Sequence, residues 1–319
     1  MVERVIHHPV RMLQMLATAL ALSILVGWVA PVYAQQHDTA TISGHVVNGT
    51  AGAITPQGLT VVLDVFQAGA QPSQITAKTD TMGHFAFDGA LVQDGATYHL
   101  TVVYLGIGYT VALSSQDNLS DVRVTVYEAT SSLEIVSIRN NVMLVLGADA
   151  ATRTLTLLET LQVANKGDRV FIPNVAQGSV MDLLRFPLPA GAFDLDVQAE
   201  LPEGQVLQVD RGVALTTPVP PGEHSILLGY KLPYTGESLD ISRVFLKGAG
   251  SFRLLMPEKV GAASSRALVD RGVTAIGATN FRLLELANIS SGAEVDIILD
   301  GLPQPSLAGR IRMALPTRS

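Results

Sequence analysis

Thr79-Asp80-Thr81-Met82-Gly83-His84-Phe85-Ala86-Phe87 decides the fold class, because these nine residues pass from a tight corner into an alternating strand. Gly83 can take the positive φ that a hairpin or bulge demands, and Asp80 suits an Asx turn that bonds its own backbone. Phe85 and Phe87 then share one face, with His84 on the other. The same two-residue rhythm runs outward in both directions. Ile42, Gly44 and Val46 lie opposite Ser43 and His45, and Leu59, Val61, Leu63 and Val65 form a second row. Tyr98, Leu100, Val102 and Tyr104 alternate again, as do Val122, Val124 and Val126. Five or more strands in about ninety residues, with almost no helical periodicity, predict a compact antiparallel β-sandwich with one face of each sheet buried.

Ile42-Ser43-Gly44-His45-Val46, the strand from Pro56 to Phe66, the T-D-x-x-G-x-F-x-F core and the run from Tyr98 to Tyr104 together resemble the carboxypeptidase regulatory-like domain over residues 39–128. The resemblance implies a transthyretin-like, prealbumin-type sandwich, similar to the B-type repeats of collagen adhesins and to the starch-binding-like fold. It implies no activity, because the motif residues are turn and core residues. Some relatives carry an internal Lys to Asn isopeptide bond, for which the first strand here offers no Lys.

A second region, 129–235, opens on Ile135, Ile138, Val142, Leu144 and Leu146. From Arg153 to Ala164 the apolar row is Leu155, Leu157, Leu161 and Val163, and unbroken alternation would add Glu159 to it. An unpaired buried carboxylate is very costly. Either a β-bulge turns Glu159 outward, which is the favoured expectation, or a cationic or hydrogen-bonding partner meets it inside. The turn Asn165-Lys166-Gly167-Asp168 and the later Leu188-Pro189-Ala190-Gly191 make this region similar to the immunoglobulin-like repeats of bacterial surface proteins. Ile226, Leu228, Tyr230 and Leu232 supply a further row behind the stiff Pro-rich corner at 217–222. The segment 236–319 repeats the style with Val244 and Leu246, Phe252 and Leu254, Phe281 to Leu286, and Val295, Ile297 and Leu299. It is expected to add strands to the second domain, the alternative being a small third β-domain.

Residues 1–34 have a signal-peptide layout: Arg4 and Arg11, an apolar run from Met12 to Ala30, then Val32-Tyr33-Ala34 ahead of Gln35. The expected fold class is therefore all-β, tandem antiparallel β-sandwich domains of transthyretin-like and immunoglobulin-like type after an N-terminal signal helix. The expected address is export to the periplasm, cell surface or exterior. An uncleaved leader would be the one contact with membrane. Losing two of 21 basic and one of 28 acidic residues with that leader leaves a formal charge of −8, which repels nucleic-acid phosphates. With no cysteine there are no disulfides and no thiolate sites. The sequons at Asn48, Asn118 and Asn288 are read as chance matches.

Motifs for known chemistry are missing from the sequence. There is no G-x-S-x-G elbow, no H-E-x-x-H, no G-x-G-x-x-G opening a helix and no P-loop. The expectation is a non-enzymatic protein without a cofactor, whose partner is a cell-surface protein or a glycan and whose mode of binding includes β-strand addition. The first rival is a carbohydrate-binding module, because sugars stack on exposed aromatic rings. Its candidate platforms are Tyr104, Tyr109 and Tyr127, for each of which core or interface packing is the plainer fate, since Trp28 lies in the leader. The second rival is a hydrolase of unknown type. His45, His84 and His99 share outward phases in the first domain, so a pair of them meeting across a sheet is the candidate metal site, against the commoner fate of solvated strand histidines.

Overall fold

The computed structural model describes residues 39–91, 94–174, 183–202, 206–209 and 212–306. The leader and His37 lie outside these ranges. The protein is all-β, built as two β-sandwich units in tandem.

The first unit contains β1 (Thr39–Asn48), β2 (Thr60–Phe66), β3 (Ser73–Lys78), β4 (His84–Leu91), β5 (Thr97–Tyr104), β6 (Ile107–Ser114) and β7 (Val122–Val126). They form a three-stranded sheet, β4-β1-β7, facing a four-stranded one, β3-β2-β5-β6. The alternating rows of the sequence meet between the sheets: Ile42, Val46, Phe85 and Phe87 on one side, Val61, Leu63, Tyr98, Leu100 and Val102 on the other, all buried. At the corner before β4, Asp80 Oδ1 accepts from the backbone N–H of Met82 and of His84, both at 2.8 Å. Those bonds, the His84 one first, hold the Asp80 carboxyl below its usual range. Gly83 has φ +85°, so the corner is the Asx-type turn its residues specify. β1 and β7 run parallel with Gly44 opposite Val122, and a Cβ on Gly44 would fall 1.8 Å from the Val122 carbonyl oxygen. Only glycine allows that approach.

The second unit begins with β8 (Ala129–Thr130), β9 (Val136–Asp149), β10 (Thr154–Asn165), β11 (Val170–Phe171), β12 (Leu184–Pro187) and β13 (Phe193–Ala199). Next come β14 (Val206–Val209), β15 (Gly212–Leu215), β16 (Gly222–Pro233), β17 (Leu239–Asp240), β18 (Arg243–Phe245) and β19 (Ala249–Pro257). Last are β20 (Ala262–Ser264), β21 (Val269–Ile276), β22 (Thr279–Ile289), β23 (Ala293–Val295) and β24 (Ile298–Asp300). One seven-stranded sheet runs β13-β16-β10-β9-β19-β22-β21. Short sheets β12-β15-β14, β17-β24-β20 and β18-β23 complete the unit. The parallel pairing of β9 with β19, Asn140 to Leu144 against Ser251 to Leu255, joins strands from 129–235 to strands from 236–303. One continuous core, from Val136 to Leu302, spans both stretches.

Three phases differ from the sequence reading. In β9 Asn141, Met143 and Val145 are buried while Leu146 is exposed, so the row Val142, Leu144 and Leu146 is the outer one. β10 keeps strict alternation, so Glu159 is wholly buried between Leu157 and Leu161. The register shifts against β9 fall on either side, at Thr156/Leu157 and Gln162/Val163, and do not turn it out. The expected outward bulge is therefore incorrect. In β18 the chain buries Arg243 and Phe245, leaving Leu246 exposed and Val244 half-covered, the reverse of the apolar row in the sequence. The departures in β10 and β18 have one cause. Arg243 Nη1 lies 2.8 Å from Glu159 Oε1, Asn141 Nδ2 donates to the same carboxylate at 2.8 Å and the Tyr230 hydroxyl donates to Oε2 at 3.1 Å. Burial opposes the guanidinium charge, but Glu159 and Tyr230 raise its pKa. Burial and Glu159 together push the Tyr230 hydroxyl far above its usual value.

Candidate functional site

The two units meet at a polar junction before they open into a cleft. β8 and β11 pair in parallel, with Val170 N donating to Glu128 O at 2.9 Å and Ile172 N to Thr130 O at 2.8 Å. Thr50 Oγ1 donates to Asp168 O at 2.7 Å and accepts from Glu128 N at 2.9 Å, while Ala51 N donates to Asp168 Oδ2 at 2.9 Å. Asp168 reaches across because Asn165 anchors its turn. The Asn165 amide donates to Arg169 O and Val219 O, each at 2.8 Å, and its Oδ1 accepts from Gly167 N. Glu128 Oε1 accepts from the Tyr104 hydroxyl at 2.7 Å and from Asn48 Nδ2 at 2.9 Å. These bonds, with a smaller pull from Arg169, hold the Glu128 carboxyl below its usual range, and the same contact raises Tyr104.

Beyond the junction lies a cleft of about 850 Å³. One wall is Gly106 of the preceding turn with Gly108, Tyr109 and Thr110 of β6; the other is Leu201, Pro202, Pro218 and Pro220. β5 and β6 are joined by a two-residue turn, Leu105-Gly106, with Tyr104 opposite Ile107. In such a hairpin the closing pair is hydrogen-bonded and pairs alternate from there, so the N–H and C=O of Gly108, Thr110 and Ala112 point away from β5. The 2.9 Å contact between the Thr101 and Thr110 hydroxyls fits the closer side-chain approach of a pair that is not hydrogen-bonded. β6 is the edge of its sheet. Among the described residues, no hydrogen bond reaches those outward backbone groups. The facing wall is quieter, since Val219 exchanges both backbone bonds with Phe171 and the Pro220 carbonyl meets His224 Nε2 at 2.8 Å. Glu200 Oε2 accepts from Ser225 N at 3.3 Å. In the turn between β5 and β6 Leu105 sits at φ +51° and is 53 % exposed, with Val103 of β5 58 % exposed. A leucine held there costs about 1–2 kcal/mol, the kind of strain that gathers at functional positions.

No family model matches this chain, and no curated protein matches it. Among solved structures it is similar to a two-domain M1 zinc metallopeptidase bound to L-tryptophan, at 12% identity and TM-score 0.34, over 52% of this chain and 43% of that one. It is also similar to the M1 zinc metallopeptidase from Deinococcus radiodurans, at 13% identity and TM-score 0.33, over 51% of this chain and 42% of that one. The chain thus spans less than half the length of these enzymes, and nothing about activity follows.

The sequence candidates separate in space. Tyr109 is buried, with its hydroxyl 3.4 Å from Tyr127 O, and burial pushes its pKa up to about 12. Tyr127 is half-buried, its ring 6.1 Å from that of Tyr109 and packed over Gly49. Tyr104 is half-buried and tied to Glu128. The three form a packed and bonded group in which Tyr109 lines the cleft while buried, so none is a broad exposed platform of the kind on which sugar rings stack. His45 and His84 stand opposite each other on β1 and β4, ring centroids 6.3 Å apart. His99 does not join them; it is on β5 in the other sheet, opposite Asp64, against the Phe66 ring at 5.0 Å. The reading of the sequence missed the cleft and the Asp168 junction. The Leu105-Gly106 pair between two alternating rows was the available signal for the first, and the Asn-x-Gly-Asp turn for the second.

Proposed function

We propose that this chain is a non-enzymatic, exported envelope protein that works as a rigid binding scaffold, taking an extended strand of a partner protein along the open edge of β6. The observation that carries this reading is the row of outward backbone groups at Gly108 and Thr110, lining a cleft whose other wall is proline-rich. Main-chain pairing supplies affinity in such binding, and the side-chain pockets supply choice. The junction at Thr50, Glu128 and Asp168 supports it by fixing the two walls. Three of the carboxylates are engaged internally: Glu159 with Arg243, Glu128 with Tyr104, and Asp80 with its own turn. Export rests on the leader at 1–34. The reading of residues 39–128 as a carboxypeptidase regulatory-like domain rests on motif residues that occupy corner and core positions, Gly83, Phe85 and Phe87.

Thr110→Pro tests the proposal. The substitution removes an outward N–H without breaking the β5 ladder, and edge strands tolerate proline. A partner captured from the native envelope by the wild type and by an Arg253→Ala control should be lost on Thr110→Pro, whose circular dichroism melt should overlay the parent. Its binding should also slow hydrogen exchange at the Gly108 and Thr110 amides. Retention of the partner by Thr110→Pro refutes strand addition. Retention on insoluble polysaccharide that Tyr127→Ala abolishes would replace it with the sugar-binding reading.

A further inference from the structure

His45 and His84 form a directly opposed cross-strand pair in the antiparallel β1–β4 ladder. Val46 N donates to Gly83 O at 2.8 Å in the neighbouring pair, so the His45–His84 pair is one without ladder hydrogen bonds, the geometry that brings side chains closest. The backbone of His84 confirms the parity: its carbonyl accepts from Asp80 N at 2.9 Å and its N–H donates to Asp80 Oδ1, both on the side away from β1. Each ring has a carboxylate at Nδ1. Asp121 Oδ1 is 3.4 Å from His45 Nδ1, and Asp80 Oδ2 is 3.4 Å from His84 Nδ1.

These carboxylates flank the pair on opposite outer sides. Asp121 immediately precedes β7, which pairs with β1 on the side away from β4. Asp80 lies beyond β4 on the side away from β1. Nε2 lies on the side of an imidazole away from Nδ1, so a carboxylate on the outer side of each Nδ1 leaves Nε2 of each ring for a ligand held between them. The rings stand at 88° to each other, and both side chains are solvent-accessible. A carboxylate at the far nitrogen is the usual orienting partner of a metal-bound histidine. Arg123, opposite His45 on β7, adds one like charge nearby, against two carboxylates. Among the described residues no group of three or more His, Cys, Asp or Glu gathers at one point, so the pair offers two protein ligands and leaves the other positions to water.

We propose that His45 and His84 together bind one late first-row divalent cation, of the zinc, nickel or copper class, through Nε2 of each ring. Imidazole pairs favour these ions over magnesium or calcium, which take oxygen ligands. The site lies on the outer face of the β4-β1-β7 sheet and makes no use of the β6 cleft.

The test titrates the full chain with zinc chloride by calorimetry and with cobalt chloride by visible absorption. Zinc and cobalt are the better probes, because an amino-terminal Gln35-Gln36-His37, if the leader is cut after Ala34, chelates copper by itself. The expected result is one ion per chain, lost by at least about tenfold on His45→Ala or on His84→Ala and unchanged on His99→Ala or His37→Ala. Asp121→Asn should weaken binding by about tenfold through loss of the orienting carboxylate. In the unmutated chain, zinc should shift the imidazole nuclear magnetic resonances of His45 and His84 and leave those of His99 in place. Absence of saturable binding, or binding that survives both alanine variants, overturns the proposal.

Discussion

Arg243→Met removes the cation paired with a wholly buried carboxylate, and its cost follows from the geometry around it. The guanidinium is 2.8 Å from Glu159, donates from Nη2 to Pro187 O at 3.0 Å, and lies 5.2 Å and 5.7 Å from the ring centres of Phe245 and Phe252. After substitution Glu159 keeps the Asn141 and Tyr230 bonds but has no counter-charge. Breaking a buried pair from one side costs about 3–5 kcal/mol, because the remaining charge is stranded away from water. For a unit of this size that should lower the melting point of the second sandwich by roughly 10 °C. The double variant Glu159→Leu/Arg243→Met removes both charges and should recover most of the loss, since well-packed apolar replacement of such a pair is often neutral. The pair is already imperfect: Arg243 Nε and Asn141 Oδ1 are buried without a hydrogen-bond partner. Scanning calorimetry, with the first sandwich as internal reference, reads both values. A single variant that costs under about 1 kcal/mol, or a double variant as damaging as the two singles added, refutes this account of the cluster.

Two further outcomes test other parts of the fold. Gly44→Ala would place its Cβ against the Val122 carbonyl, backbone on backbone, so it should cost the first sandwich about 3 kcal/mol or more in urea unfolding; a loss under about 1 kcal/mol would contradict the parallel β1–β7 approach. Glu128 has its folded pKa lowered by Tyr104 and Asn48, so its contribution is present above the unfolded value near 4.5 and is lost as pH falls through the folded value. The melting point of the wild type should therefore drop more steeply between pH 5 and about 3 than that of Glu128→Gln, and parallel curves would remove Glu128 from the junction.

Much of the first sandwich was legible because its information is local. Ile42 and Val46, Val61 and Leu63, and Val122 to Val126 are buried in the phases that their alternation states. In the second unit the same rule works for Leu155, Leu157, Ile226 and Leu228, yet misjudges β9, where Met143 and Val145 go inside and Leu146 is exposed, and β18. Val244 and Leu246 look like an inward row, but the strand turns to deliver Arg243 to Glu159, 84 positions earlier in the chain. A residue's own hydrophobicity is a poor guide wherever a distant charge competes for the same face.

The amino-acid order alone determined the all-β class, most strand positions and the Asx corner at Asp80, since a strand's side chains alternate by covalent geometry and a turn is made by its own few residues. Only the tertiary structure decided that Thr110 faces Pro218 across a cleft, that His84 meets His45 while His99 does not, and that Glu159 stays inside. Those outcomes depend on which strands become neighbours, and sheet order is chosen by packing between residues far apart in the chain, where periodicity carries no signal.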